Sequence, residues 1–374
     1  MPTSSYYPGQ PTSEESLQAI TDRLAAWTAE NLPRYPWRHG DDPYAVWVAV
    51  VMLQQTQVAT VLPYYDRFLH RFPSVRDLAS ASLDEVLKAW EGLGYYARAR
   101  NLRSAAVSIV KNNDGAIPQS REELLSLPGI GDYTASAILS IAFGAETPAI
   151  DGNVRRVLCR LFAVGEDTRR KAGRRWLYAM AQRLLPAGSA GEFNQGLMEF
   201  GAAVCTARSP ACDSCPLGDR CESRRLGKEK EIPCRPARRK VPQHTVTAAL
   251  IWNEDGRVLL ARRPANAMLG GMWEFPGGKR EKDESLEECL RREIREELGL
   301  VIRVEDAAAT VRHAYSHFSI ILHAYHCRLV SGEPRALGCA EWRWVSWTDL
   351  GQFPISGADL KAIAALEGPC LVEG

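Results

Sequence analysis

The stretch "LLSLPGIGDYTASAIL", residues 124–139, decides how the first half of this chain is read. An apolar-periodic run ends in Pro128-Gly129-Ile130-Gly131, and a second run follows at once. The spacing predicts a helix, a tight turn and another helix. Glycines in such a turn let backbone N–H groups face outward at a helix start, which suits a phosphate through oriented dipoles. The turn alone is weak, since many helix connections use glycine. Twenty residues after Gly131 comes "AIDGNVRRVL", with Asp151 before Gly152-Asn153. A carboxylate there caps a helix. In a cleft beside a phosphate-binding hairpin it also stabilises a cation.

Working outward, the pattern from about Glu15 to Gly201 is helical throughout, punctuated by Pro and Gly every 10–20 residues. Residues 1–14 read as a polar, disordered arm. Four of the ten cysteines fall in Cys205-x6-Cys212-x2-Cys215-x5-Cys221. Four thiolates in one loop wrap one inorganic centre, and spacing alone leaves zinc and iron–sulfur both open. Residues 222–243 carry eight Lys/Arg against three Glu and three prolines, the composition of a basic linker. After Gln243 the texture changes. "HTVTAALIWNEDGRVLLARR" reads as two strands and a turn, and "SLEECLRREIREELGL" as one amphipathic helix.

The chain has 374 residues, room for two or three cores. A net charge of +1 excludes a global basic field, so any nucleic-acid surface must be local. No signal-peptide pattern and no 18-residue apolar window are present. We expect a soluble, cytoplasmic protein without membrane partners, acting as a monomer.

Together these features resemble the helix-hairpin-helix superfamily of DNA glycosylases. "VMLQQTQVATVLPYY", "GLGYYARARNL", "AIDGNVRRVL" and "FNQGLMEFGAAVCTARSPACDSCPL" narrow the resemblance to the adenine DNA glycosylase (MutY) family. It covers about Leu32 to Cys221 and resumes in the C-terminal part. The resemblance implies a multidomain fold. An all-α helix-hairpin-helix module would span 15–221, with a six-helix barrel lobe at about 32–140. Residues 15–31 and 141–221 would form an iron–sulfur lobe, and 244–374 an α+β Nudix-like domain. It further implies a [4Fe–4S] cluster on Cys205, Cys212, Cys215 and Cys221. The implied partner is double-stranded DNA carrying 8-oxoguanine:A mispairs, from which adenine is hydrolysed.

Breaking a glycosidic bond leaves oxocarbenium character on the sugar, which a nearby carboxylate stabilises. By resemblance that is Asp151, with Tyr133 and Asn153 beside it. Bifunctional relatives carry a Lys at the position of Tyr133, so a monofunctional enzyme is expected. Leu53, Gln55, Thr56 and Tyr95 match positions that probe the stack, and Pro128, Gly129 and Gly131 the DNA-binding hairpin. Trp37, Arg38 and Gln195 match positions around the extruded adenine. In "WVAVVMLQQTQ", residues 47–57, the family places a general-acid Glu where this chain has Val50. Excision is therefore expected to be weak, altered or absent, and a lesion-binding protein or a glycosylase for another lesion stands as the alternative.

Residues 277–300 fit G-x5-E-x7-R-E-U-x-E-E-x-G-U at every fixed position. Glu293, Glu296 and Glu297 share one helix face and can hold Mg²⁺ for pyrophosphate hydrolysis. A diphosphatase acting on oxidised nucleotides is a further expectation. In the family the C-terminal domain reads 8-oxoguanine through a Phe-Ser-His loop, matched here by Tyr315-Ser316-His317.

Overall fold

A computed structural model describes residues 13–38, 42–234, 241–315 and 317–367. Ser316, Cys370, nearly all of the expected arm and the basic end of the expected linker, Arg238, Arg239 and Lys240, lie outside them. The chain packs as two compact units. The first holds residues up to Val61, Ser74–Arg76, and the run from Ser104 through the cysteine segment. The second holds Leu62–Pro73, Asp77–Arg103 and the chain from Val241 onward.

The first unit is helical. α1 (Glu14–Asn31) starts where the Ser13 hydroxyl accepts the Ser16 N–H. α2 (Pro43–Leu53) starts with the Asp42 cap followed by Pro43, whose missing N–H costs nothing in a first turn. Val46 to Met52 are buried without interruption, so α2 is apolar on all sides and lies inside the unit. α3 (Val58–Arg71), α4 (Val75–Ser80), α5 (Leu83–Ala89) and α6 (Ala97–Asn113) follow, largely in the second unit. The quoted hairpin forms as read: α7 (Arg121–Ser126), the turn, and α8 (Asp132–Phe143). α2 packs on α8. α9 (Gly152–Leu161), α10 (Lys171–Leu184) and α11 (Ala190–Ala203) build a second core with α1, centred on Leu17, Leu24, Leu158, Phe193 and Phe200.

Residues 222–234 pack onto this unit. They include α12 (Glu222–Arg225), and Ile232 is buried in the same core. One apolar side chain and a backbone acceptor, the Ile232 carbonyl, hold what composition alone presents as tether.

The second unit contains a six-stranded sheet: β1 (Gln243–Trp252), β2 (Arg257–Arg262), β3 (Trp273–Glu274), β4 (Val301–Ala314), β5 (Ser319–Ser331) and β6 (Glu341–Ser346). The order is β3-β2-β1-β5-β4, with β6 on β2, and only β1–β5 is parallel among these pairs. Period-two alternation assigns the faces. Ala249, Ile251 and Leu259 pack with α13 (Leu286–Leu298). Ala248, Leu250, Val258 and Leu260 pack with α14 (Gly357–Glu367). Because a helix covers each face, the central strands are apolar on both sides. Helices α4 and α5 belong to the same unit, where the Arg262 guanidinium meets Asp84 and Arg100 donates to the Gly270 carbonyl.

Among the described residues no helix is long and apolar enough to cross a membrane.

α1 approaches α11 closely at a glycine. A Cβ on Gly196 would lie 2.0 Å from Thr28 Oγ1, and Thr28 is buried. Gly196→Ala should therefore destabilise the protein by about 1–3 kcal/mol. The check is a urea midpoint that falls with an unchanged slope.

Candidate active site

Three short segments meet on α8. The first is the hairpin. Ser120 caps α7, Gly129 takes φ +77°, and Gly131 caps α8 with no side chain over the exposed N–H groups. Pro128, Gly129 and Gly131 are all exposed. Arg121 ties the two helices by donating to Asp132 at 2.6 Å and Ser136 Oγ at 3.0 Å. That leaves an anion-facing helix N-terminus on a rigid turn.

The second segment is the exit of α2. The helix stops at Leu53, and Gln55 takes φ +57°, a left-handed conformation that costs a side-chain-bearing residue about 1–2 kcal/mol. Gln54 pins the turn by donating to Thr134 Oγ1 at 3.0 Å. Gln55 is exposed, and Leu53 and Thr56 are half-buried. Strain held by its surroundings at an exposed amide marks a working position. One turn earlier, Val50 is 5% exposed. It clusters with Val46, Ala137 and Ala149, and Tyr133 and Met198 pack against the cluster.

The third is the start of α9. Asp151 is its cap and accepts the Val154 N–H at 2.7 Å and the Asn153 side-chain amide at 3.0 Å. Burial in the cleft raises its carboxyl above the ordinary range, and these hydrogen bonds pull the other way. Tyr133 is likewise raised, by burial first and by the Asp151 charge second, so its hydroxyl stays protonated. That hydroxyl points to the Met198 sulfur at 3.7 Å. Asn153 also accepts from Arg156 at 2.8 Å, and Arg156 donates to the Cys205 carbonyl at 2.7 Å.

These segments line one cleft of about 1570 Å³. Of the residues singled out by sequence, Leu53, Gln55, Thr56, Tyr133, Asp151 and Asn153 share its wall. Val50, Trp37, Arg38 and Gln195 are not in the lining. Trp37 is buried and stacks on Tyr35 at 5.2 Å. Arg38 pairs with Glu199 at 2.9 Å, with 8% and 16% of the two side chains exposed. Gln195 donates to the Gly191 carbonyl within its own helix.

The cleft is basic although the whole chain is nearly neutral. Arg121, Arg155, Arg156, Arg169, Arg174 and Arg175 line it. Arg121 is paired with Asp132 and Arg169 with Asp167, while Arg155, Arg174 and Arg175 have no ion pair among the described residues.

Cys205, Cys212, Cys215 and Cys221 are free and half-buried. The other three thiols are near enough to act electrostatically on Cys215. Among the described residues, no three ligand-type side chains close on a single ion. Four thiols close enough to interact can hold one inorganic centre, as zinc or a multi-iron cluster does. Arg160, 1% exposed, donates to the Thr206 carbonyl at 2.6 Å and to Cys205 Sγ at 3.4 Å.

In the second unit, Tyr95 is exposed at φ +50° with the Arg98 guanidinium 5.3 Å from its ring. Tyr315 lies between the tilted rings of His313 and Phe318, and its hydroxyl is pushed up to about 12 by burial. His317 is exposed. Arg292 on α13 grips Glu284, Glu293 and Glu296 at 2.8–3.2 Å. One oxygen of Glu297 is buried without a partner, and burial together with Glu274 and Glu293 raises that carboxyl to about 8.

Sequence reasoning missed three supports. Asn194 is 2% exposed and makes three bonds: it accepts the Ala149 N–H and donates to Ser140 Oγ and the Thr147 carbonyl. It thereby fixes the loop that delivers Asp151. Glu199 and the Arg174/Arg175 pair were also missed. For Arg174 and Arg175 the apolar periodicity of α10 was an available signal, since it leaves them off the core stripe; buried Asn194 gave none.

Three family models match this chain. The HhH-GPD superfamily base excision DNA repair protein model matches residues 48–178, the iron–sulfur binding domain of endonuclease III residues 205–221, and the NUDIX domain residues 247–365. The chain is 33% identical to the adenine DNA glycosylase of Homo sapiens, over 98% of this chain and 77% of that protein. It is 28% identical to the adenine DNA glycosylase of Schizosaccharomyces pombe, over 93% and 87%. Among solved structures, a thermostable thymine-DNA glycosylase superposes with TM-score 0.54 at 27% identity, covering 58% of this chain and 100% of that one. A non-covalent endonuclease III–DNA complex matches in fold, with TM-score 0.51 at 24% identity over 58% and 99%.

The unpaired arginines of the cleft suit a polyanionic backbone, whose counterions they displace. Replacing Arg174 and Arg175 by Gln should reduce the slope of log binding constant against log salt for duplex DNA by about 1.8. Titrations between low and moderate salt measure that slope directly.

Proposed function

The chain belongs to the adenine DNA glycosylase family, and we propose that it engages adenine opposite 8-oxoguanine in duplex DNA with Asp151 as its transition-state stabiliser. As a family member it is a base-excision-repair DNA glycosylase that binds DNA and carries an iron–sulfur cluster. The observation that carries the reading is the half-buried Asp151 carboxylate in a basic cleft, beside a neutral tyrosine and next to the strained turn at Gln55.

When the bond from C1′ to the base breaks, its electron pair leaves with the base. Positive charge then spreads over C1′ and the ring oxygen. The ionised Asp151 stabilises that charge, more strongly in a partly dry cleft than in water. Water adds to C1′ and loses a proton. Tyr133 has no amine, so no Schiff base forms and the strand is left uncut. Leu53 and Gln55, on the cleft wall, would serve as the wedge that replaces the extruded nucleotide. By the resemblance Trp37, Arg38 and Gln195 would surround the extruded base, although none of them is among the residues lining the cleft. The cluster would sit on Cys205, Cys212, Cys215 and Cys221 and supply structural rigidity and a positive docking surface, since hydrolysis transfers no electrons.

Val50 is the departure. It sits in an apolar cluster with no proton to give. Electrostatic stabilisation by Asp151 survives, and leaving-group protonation falls to water or to another group. Installing the acid in Val50→Glu should raise single-turnover adenine release from an 8-oxoguanine:A duplex by about 10²–10⁴-fold. A rate unchanged by Glu at position 50 refutes the assignment of that position as the missing acid.

The C-terminal domain supports a second reading. Glu293, Glu296 and Glu297 repel one another around one unpaired buried oxygen, and a divalent ion relieves that repulsion. Mg²⁺ binding would draw two of these carboxylates off Arg292. The expected activity is Mg²⁺-dependent hydrolysis of 8-oxo-dGTP that Glu296→Gln abolishes. Equal turnover by that variant assigns the domain to lesion reading alone, through Tyr315, Ser316 and His317.

A further inference from the structure

Within the second unit, Lys88 and Glu91 clamp a backbone segment more than 260 residues away in the chain. Glu91 Oε1 accepts the Ile355 N–H at 3.1 Å, and its other oxygen accepts Lys88 Nζ at 2.7 Å. Lys88 in turn donates to the Phe353 carbonyl at 3.3 Å. Only 32% and 18% of the two side chains are exposed, so water screens the pair weakly.

Each side of this clamp leads directly to an expected DNA contact. On one side, Glu91 is followed by Gly92 at φ +92°, whose N–H donates to the Tyr96 hydroxyl at 3.1 Å. Arg98, 8% exposed, donates to the Leu93 and Gly94 carbonyls at 3.3 and 3.0 Å. Tyr95 therefore projects from a closed turn whose first residue pair is held at Glu91. On the other side, Ile355 bridges to Trp273, and the Ser356 N–H donates to the Trp273 carbonyl at 3.0 Å. The Ser356 hydroxyl donates to Asp359 at 2.6 Å and is hydrogen-bonded with Tyr315. A Cβ on Gly357 would sit 3.0 Å from the His313 ring, which lies tilted against Tyr315 with centroids 4.5 Å apart. Residues 353–357 thus hold Lys88 and Glu91, immediately before the Tyr95 turn, at one end and meet His313 beside Tyr315 at the other.

We propose that Glu91 is a positioning residue for lesion recognition. Through Lys88 and the 353–356 backbone it holds the Tyr95 turn in register with Tyr315. The probe then enters the stack at the spacing that brings the opposite base to the reader. Charge and direction both matter, since one carboxylate accepts from an ammonium and from a backbone N–H at the same time. This inference rests on the reading of Tyr95 and Tyr315–His317 as DNA contacts.

The experiment is equilibrium binding of the full chain to two duplexes carrying an uncleavable 2′-fluoro-2′-deoxyadenosine, opposite 8-oxoguanine or opposite guanine. Glu91→Ala should cut the preference for the 8-oxoguanine duplex about tenfold while leaving affinity for the guanine duplex within about twofold. Glu91→Gln keeps an acceptor for the Ile355 N–H but loses the ion pair with Lys88, and should restore part of the preference. Tyr315→Phe removes the hydroxyl that meets Ser356, and in the Glu91→Ala background it should add little, because the register is already lost. Unchanged preference in Glu91→Ala overturns the proposal. So does an equal loss on both duplexes, which a merely structural role would give. If Glu91→Ala does not fold, Lys88→Met releases Phe353 and the ion pair with Glu91 but keeps the Ile355 hydrogen bond, and should lower the preference about threefold. An unaltered preference there also overturns the proposal. A parent protein with no preference for 8-oxoguanine removes the reader assignment itself, and the inference with it, whatever the variants do.

Discussion

A carboxylate must stay at the floor of a cleft that burial makes hostile to it. Asp151 meets this constraint by capping α9, where the Val154 N–H and the Asn153 amide solvate it and the helix dipole favours its charge. The same arrangement gives it a fixed direction. Asn194 ties down the loop before it, and Gly201, on α11, packs against Asn153 so closely that a Cβ would lie 2.7 Å away. Along the same helix, Arg156 and Arg160 hold the backbone of the cysteine segment. The site carboxylate and the cluster-binding segment therefore share one rigid element.

Around this charge the site divides its tasks. The arginines of the cleft wall supply sequence-independent attraction for phosphates. The turn at Gln55 and the turn at Tyr95 both hold side-chain-bearing residues at positive φ, so both are set before any ligand arrives. At position 50 an apolar neighbourhood surrounds an apolar side chain. The cluster is well packed there, and nothing in its packing calls for a charged group.

In the C-terminal domain the opposite holds. Carboxylates are retained at a cost in burial and mutual repulsion. Glu274 is neutralised by Arg263 at 2.7 Å, Asp359 is raised to about 7 by burial, and Glu297 is raised further. Apolar residues of similar size would stabilise such an interior at least as well, so their presence points to ligand or register.

Local rules made much of this protein legible. The hairpin followed from Pro-Gly-Ile-Gly between two apolar-periodic runs, the α9 cap from Asp-Gly-Asn, and α13 from the amphipathic run that starts at Ser285. Each depends on residues within four or five positions, where backbone geometry dictates the outcome. The glycosylase character and the cysteine loop were legible for the same reason, since their motifs are short and ordered. The tertiary structure alone decided the rest. Arg38 meets Glu199 across 161 positions, and Glu91 meets Ile355 across 264. The helical residues 77–103 group with the C-terminal sheet for the same reason. Such pairings carry no local periodicity. They arise from burying one surface against another, and a linear sequence does not state which surfaces meet.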